Sequence, residues 1–217
     1  MKKIISMFLV FAMMISTFFI TAYAENEITE EKDENEIVAT VSLCSCLYVF
    51  PIKGHTWIYV ENLSDEVQRV GLYDLPVGEG MSVGTYSFSA SDGWGVYYNV
   101  ECYRQNRDNN LENIWSVTKE LTQSELDTMS KALANYVNYW DFYFNCAFFA
   151  FSIWNSVSMD FLIPLMLPGI SHIQVMMLGA KKGVLQLYEV KPEQVFRQRG
   201  SLGSAYLEPV SDKTLNG

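Results

Sequence analysis

From Val38 to about residue 105 the chain alternates apolar and polar positions with a period of two, broken at intervals by Gly, Pro and Asn/Asp clusters. VATVSLCSCLYVF, residues 38–50, is apolar and β-branched and predicts a strand that Pro51 interrupts. KGHTWIYVEN, residues 53–62, predicts a second strand, ended by the Asn62-Leu63-Ser64-Asp65 turn. On it His55, Trp57 and Tyr59 face one way, and Ile58 and Val60 the other. VQRVGLYDLP (67–76) reads as a third strand closed by Pro76. VGEGMSVGTYSF (77–88) is a Gly-rich turn and a fourth strand, and SDGWG (91–95) is a turn. VYYNVECYRQ (96–105) reads as a fifth, on which Asn99 and Glu101 share a face. RQNRDNNLEN (104–113) is a polar loop.

After Leu121 the period lengthens. Thr122 stands three residues before Glu125, a capping-box signature, and Leu126, Met129, Leu133 and Val137 follow at helical spacing. NYWDFYF (138–144) bridges to a second helix, Cys146 to about Ser156, apolar almost all round and so expected to be largely buried. A Pro/Met-rich stretch with Pro164 and Pro168 leads to a helix over Ile170–Leu178, and GVLQLYEV (183–190) reads as a last strand. Strands, then helices, then a strand, with no internal repeat, give an α+β fold.

The first residues alter what counts as the domain. Lys2 and Lys3, an apolar run from Ile4 to Ile20, and Ala22-Tyr23-Ala24 before Glu25 form the three parts of a secretory signal peptide, with cleavage expected after Ala24. The segment to residue 37 is an acidic, disordered tail: Glu25 to Glu36 holds seven acids, one Lys and one apolar residue. Residues 38–217 are left as a single domain. The formal net charge is −10, and loss of Lys2 and Lys3 makes the chain more acidic still. Such a chain is a poor nucleic-acid binder and would not seek an anionic membrane after leader cleavage. The expected location is extracellular.

Export makes disulfides possible among Cys44, Cys46, Cys102 and Cys146. Cys44 and Cys46 lie two apart on a strand and share a face, so they are not expected to bond each other. No Cys-x-x-Cys or Cys/His spacing points to zinc, and no cofactor is implied. Asn145-Cys146 opens an aromatic helix, and three readings of Cys146 stand together: half of a disulfide with Cys102, a small core residue, or a nucleophile. At a helix start, unpaired backbone N–H groups and the macrodipole favour a thiolate, with Asn145 as N-cap. A thiolate also needs a partner, usually His. The two candidates are His55, emerging beside two aromatics, and His172 in GISHIQ, which taken alone reads as an ordinary surface or core histidine.

Gly54-His55-x-Trp57-Ile58 on a strand, followed well downstream by Asn145-Cys146-x-x-Phe149-Ala150 with Trp154 and Asn155, resembles the circularly permuted papain-like cysteine peptidases and acyltransferases. This is the NlpC-type branch that includes lecithin–retinol acyltransferase relatives, and the segments between look like its secreted bacterial members. The resemblance spans about residues 50 to 158. It implies a central antiparallel sheet with the nucleophile helix packed on it, Cys146 as nucleophile and His55 as base. The third group is left open among Glu101, Asn99 and Tyr73, with a Glu101 oxygen, the preferred candidate, or the Asn99 amide expected within about 3 Å of a ring nitrogen of His55. The second His that some relatives carry on the next strand is absent from VQRVGLYD. Two functions follow as expectations. One is an exported thiol hydrolase or acyl transferase acting on a peptide or acyl substrate, peptidoglycan peptide among them, with backbone N–H groups at the helix start holding the oxyanion. The other is an inactive exported interaction protein on the same fold. Oligomeric state is not legible.

Overall fold

Alternation of side chains fixes the middle of the sheet. β1 (Ile37–Val49) and β2 (Lys53–Asn62) pair antiparallel, with Cys44 opposite Trp57 and Cys46 opposite His55. Val41, Leu43, Ile58 and Val60 therefore enter the main core on one face, while Cys44, Cys46, Trp57 and Tyr59 form a second cluster on the other. The structure is a computed structural model that describes residues 35–49, 53–87, 94–108, 113–136, 145–163, 168–200, 203–211 and 215. The signal peptide, the acidic tail up to Glu34, the Pro51 break, most of the SDGWG turn, Val137 and the NYWDFYF bridge lie outside the described residues.

β2 is followed across the sheet by β5 (Gly80–Ser87), β6 (Trp94–Tyr98), β9 (Phe196–Arg199) and β10 (Tyr206–Pro209). On the far side of β1 lie β7 (Trp115–Thr122) and β8 (Lys181–Lys182). The eight strands run in the order β10-β9-β6-β5-β2-β1-β7-β8, and their pairings are antiparallel. Four α-helices accompany them among the described residues: α1 (Val100–Asp108), α2 (Gln123–Ala134), α3 (Cys146–Asn155) and α4 (Pro168–Met177). The fold is mixed α+β around a large antiparallel sheet. Phe149, Ala150, Ile153 and Trp154 of α3, with Val175 of α4, bury into the face that carries Leu43 and Ile58. Each such large side chain contributes about 1.5–3 kcal/mol.

α2 begins where its sequence says. Thr122 accepts from the Glu125 amide, Glu125 returns a bond to the Thr122 amide, and Leu126, Met129 and Leu133 are buried. Four expectations need correction. The fifth strand stops at Tyr98, because Asn99 takes a left-handed φ of 68° and the chain turns into α1. Asn is one of the few non-glycine residues that accept this conformation. The third strand is a small separate hairpin, β3 (Gln68–Val70) and β4 (Tyr73–Leu75). GVLQLYEV forms no strand, although Leu187 and Val190 still pack on the cysteine-bearing cluster. β7, which supplies the outer partner of β1, was not anticipated.

Candidate active site

β2 and β5 pair only from Ile58–Val83 to Glu61–Gly80. Toward the start of β2 that ladder has ended, and the N-terminus of α3 enters there. The Thr56 amide, beyond the last rung, donates to the Cys146 sulfur, as does the Ala147 amide. Asn145 is the N-cap: its Oδ1 accepts from Ala147 N at 3.0 Å and Phe148 N at 3.2 Å. Those two amides are thus already engaged by the N-cap. The oxyanion donors expected at this helix start narrow to Cys146's own amide. The sulfur-bearing residue is 8% exposed.

His55 reaches the thiol from β2. Its Nε2 lies 2.8 Å from Glu101 Oε1, and the ring also hydrogen-bonds Cys146, which leaves Nδ1 for the sulfur. The imidazole is wedged between Trp57, stacked at 5.3 Å between centroids, and Tyr86, tilted at 4.6 Å. Arg104 sits 5.6 Å over the outer ring, Tyr86. Glu101 approaches from the first turn of α1, not along a strand, and its side chain is 1% exposed.

The electrostatics follow from these contacts. Burial opposes the imidazolium, but the hydrogen bonds to Cys146 and Glu101 and their charges outweigh it, and His55 is pushed up to about 10. Burial likewise opposes the thiolate. The His55 hydrogen bond and charge, then the Thr56 and Ala147 amides, outweigh it and bring Cys146 below the usual thiol range. The other three cysteines behave in the opposite way. Burial raises Cys44, Cys46 and Cys102, the last to about 12. All four are free thiols. Among the described residues no group of His, Cys, Asp or Glu is arranged to hold a metal ion.

The other candidates are placed elsewhere. Asn99 does not reach His55: its Oδ1 accepts from Ser82 N at 3.2 Å and its Nδ2 donates to the Gln194 carbonyl at 2.9 Å, so it latches the strand-to-helix turn. Tyr73 meets Asn99, Tyr98 and Phe196. His172 lies on the other face of the sheet, with Nδ1 3.1 Å from Ser45 Oγ. Gly84 went unnoticed in the sequence. A Cβ there would stand 2.3 Å from Glu101 Oε1 and 3.4 Å from His55 Nε2, so the carboxylate–imidazole pair crosses β5 at the one residue type that leaves room. A glycine inside a strand pattern is the signal that marks such a close approach. Comparison of the chain with family models, with curated proteins and with solved structures returns no match.

Proposed function

We propose that this protein is an exported cysteine-dependent hydrolase or acyl transferase for amides or esters, on a permuted papain-like fold in which the histidine strand precedes the cysteine helix. The observation that carries this reading is one imidazole bridging a helix-start thiol and a buried carboxylate. His55 accepts the Cys146 proton at Nδ1, and Glu101 holds the Nε2–H and offsets the imidazolium charge. The thiolate adds to the substrate carbonyl carbon, and the resulting oxyanion is met by the Cys146 amide. The imidazolium then protonates the leaving amine or alcohol, leaving a thioester. Water or a second amine, deprotonated by His55, releases the acyl group and restores the thiol. Peptide substrates, peptidoglycan peptide among them, suit an exported enzyme of this kind. The leader is proposed to be cut after Ala24, and the mass of the exported chain reports it.

The limited exposure of Cys146 favours a second reading, an exported interaction protein whose thiol is inert. Thiol-specific alkylation separates the two. The enzyme reading expects one fast-reacting thiol that maps to Cys146 and slows in His55→Ala, together with hydrolysis of activated thiol-labile esters that Cys146→Ser abolishes. Four equally slow thiols would overturn it.

A further inference from the structure

Beyond the end of α3, the segment Met159–Ile163, which bends at Met159 and Asp160, is held as a ledge. The Asn155 side-chain amide grips both polar groups of Leu162, donating to its carbonyl at 2.8 Å and accepting from its N–H at 3.0 Å. Gln174 of α4 grips Ile163 in the same way, at 2.9 and 3.0 Å. Asp160, itself exposed, accepts from Trp154 Nε1 at 3.0 Å, and Leu162 is buried. Met159, Phe161 and Ile163 stand outward, at 90%, 80% and 64% exposure. Phe161 holds a left-handed φ of 47°, which a bulky residue adopts only where its surroundings impose it. Ile163 is tied to Gln174, and Met159 shares a groove wall with Leu178, so the ledge runs antiparallel beside the last turns of α4. There Ile173, Met176 and Met177 are exposed as well. Asp160 is the one charged residue of the ledge, and α4 carries none.

We infer that this surface, the ledge with the outer face of α4, is a docking site for a second copy of the same chain. Three observations select that occupant. The exposed apolar side chains amount to an area on the order of 800 Å², the per-partner share of a standard interface and more than an ordinary monomer leaves bare. The backbone groups of Leu162 and Ile163 are already satisfied by Asn155 and Gln174, so an extended peptide has no edge to pair with there, and recognition rests on burying rigid side chains. The chain carries a net charge of −10, and two copies repel each other least where they meet through a face with few charges. A two-fold arrangement sets Phe161 of one copy against the α4 face of the other.

The site lies at the opposite end of α3 from Cys146, about 15 Å along the helix, so the proposed thiol chemistry stays accessible in the pair. Sedimentation of the full chain across a concentration series tests it. A concentration-dependent dimer is expected, with Phe161→Asp weakening association by about thirtyfold or more, as loss of a central anchor does. Alkylation of Cys146 is expected to be unchanged in that variant. If Phe161→Asp does not fold by circular dichroism, the milder pair Phe161→Ser with Met177→Gln carries the same expectation. A wild-type chain that stays monomeric at high concentration overturns the proposal. So does a dimer that the substitutions leave intact, or a monomer that uses this face to bind neutral lipid vesicles.

Discussion

Two histidines meet adjacent rungs of the same strand pair from opposite sides, His55 from β2 and His172 from α4. His55 stands opposite Cys46, while on the next rung Ser45, opposite Thr56, receives His172 on the other face. Both rings are mostly enclosed, His55 with a side chain 13% exposed and His172 with 7% exposure overall. Burial disfavours the charged form at both. Yet His55 is driven up to about 10, whereas His172, bonded to a hydroxyl and set edge-on to Trp115, falls below the ordinary imidazole value. Enclosure is common to the two and an anionic partner is not. Whether a carboxylate and a thiol lie within hydrogen-bond reach decides the sign, and only the His55 side of the sheet is equipped to hold a thiolate.

The sharpest way to break this contrast is to remove each ring in turn. His55→Ala is expected to lower kcat/KM on an activated ester by roughly a hundredfold to ten-thousandfold, the range for loss of a general base. His172→Ala should stay within about twofold, since its contacts reach no group of the site. Equal losses would mean that the two faces do not differ in function. Next in size is the carboxylate. Glu101→Gln keeps the shape but removes the charge, and a loss of about tenfold or more is expected, with the imidazole pKa brought down. Gly84→Ala should approach the same loss by a different route, because its Cβ would occupy the space of Glu101 Oε1, 2.3 Å away. A fully active Gly84→Ala variant would show that the Glu101–His55 bond is dispensable.

The cysteines extend the comparison. At neutral pH Cys146 is expected to alkylate at least about tenfold faster than Cys44, Cys46 or Cys102, whose thiols burial holds protonated. Its rate should persist below the ordinary thiol range near 8.5 and fall only on acidification. Stability is a poorer probe of this pair. Taken singly, the raised His55 pKa contributes stability below pH 6.5 that is lost as pH rises through about 10. The lowered Cys146 pKa contributes stability that is present above the unfolded thiol value and lost as pH falls through the folded one. Where the two ranges overlap, the slopes have opposite signs and cancel. The folded pair shares one proton as imidazolium and thiolate, and the unfolded pair holds one as imidazole and thiol.

What could be read from the sequence was what short-range physics determines. β1 and β2 announce themselves by alternation, α2 by its capping box, and α3 by an N-cap Asn before an apolar run. The contact between Glu101 and His55 was expected, but on the wrong geometry. Alternation of Tyr98, Val100 and Cys102 imitates a strand, and only the left-handed Asn99, held by Ser82 and by the distant Gln194, diverts the chain into α1. A latch that spans 95 residues leaves no local trace. β7 escaped notice because Lys119 and Glu120 dilute its pattern, and its place comes from pairing with β1. Conversely GVLQLYEV alternates well, yet no strand pairs with it.

The smallest expected effect concerns the quieter histidine and tests the comparison from the side of folding. His172 is held below 6.5 by burial, so the unfolded chain takes up its proton first as the pH drops. The stability it contributes is fully present above pH 6.5 and is lost as pH falls from 6.5 through the folded value, the reverse of the slope that a charge-paired histidine gives. Urea unfolding followed at several pH values should show this acid-side loss in the wild type and a flatter profile in His172→Phe, which keeps a ring in the same pocket. Ser45→Ala removes the partner at 3.1 Å and leaves Nδ1 buried without it, and should cost about 1–2 kcal/mol at neutral pH while sparing the alkylation rate of Cys146. If Ser45→Ala instead slows Cys146, the two faces communicate through Thr56, whose hydroxyl lies 3.5 Å from Ser45 Oγ and whose amide bonds the Cys146 sulfur, and the two histidines are parts of one system.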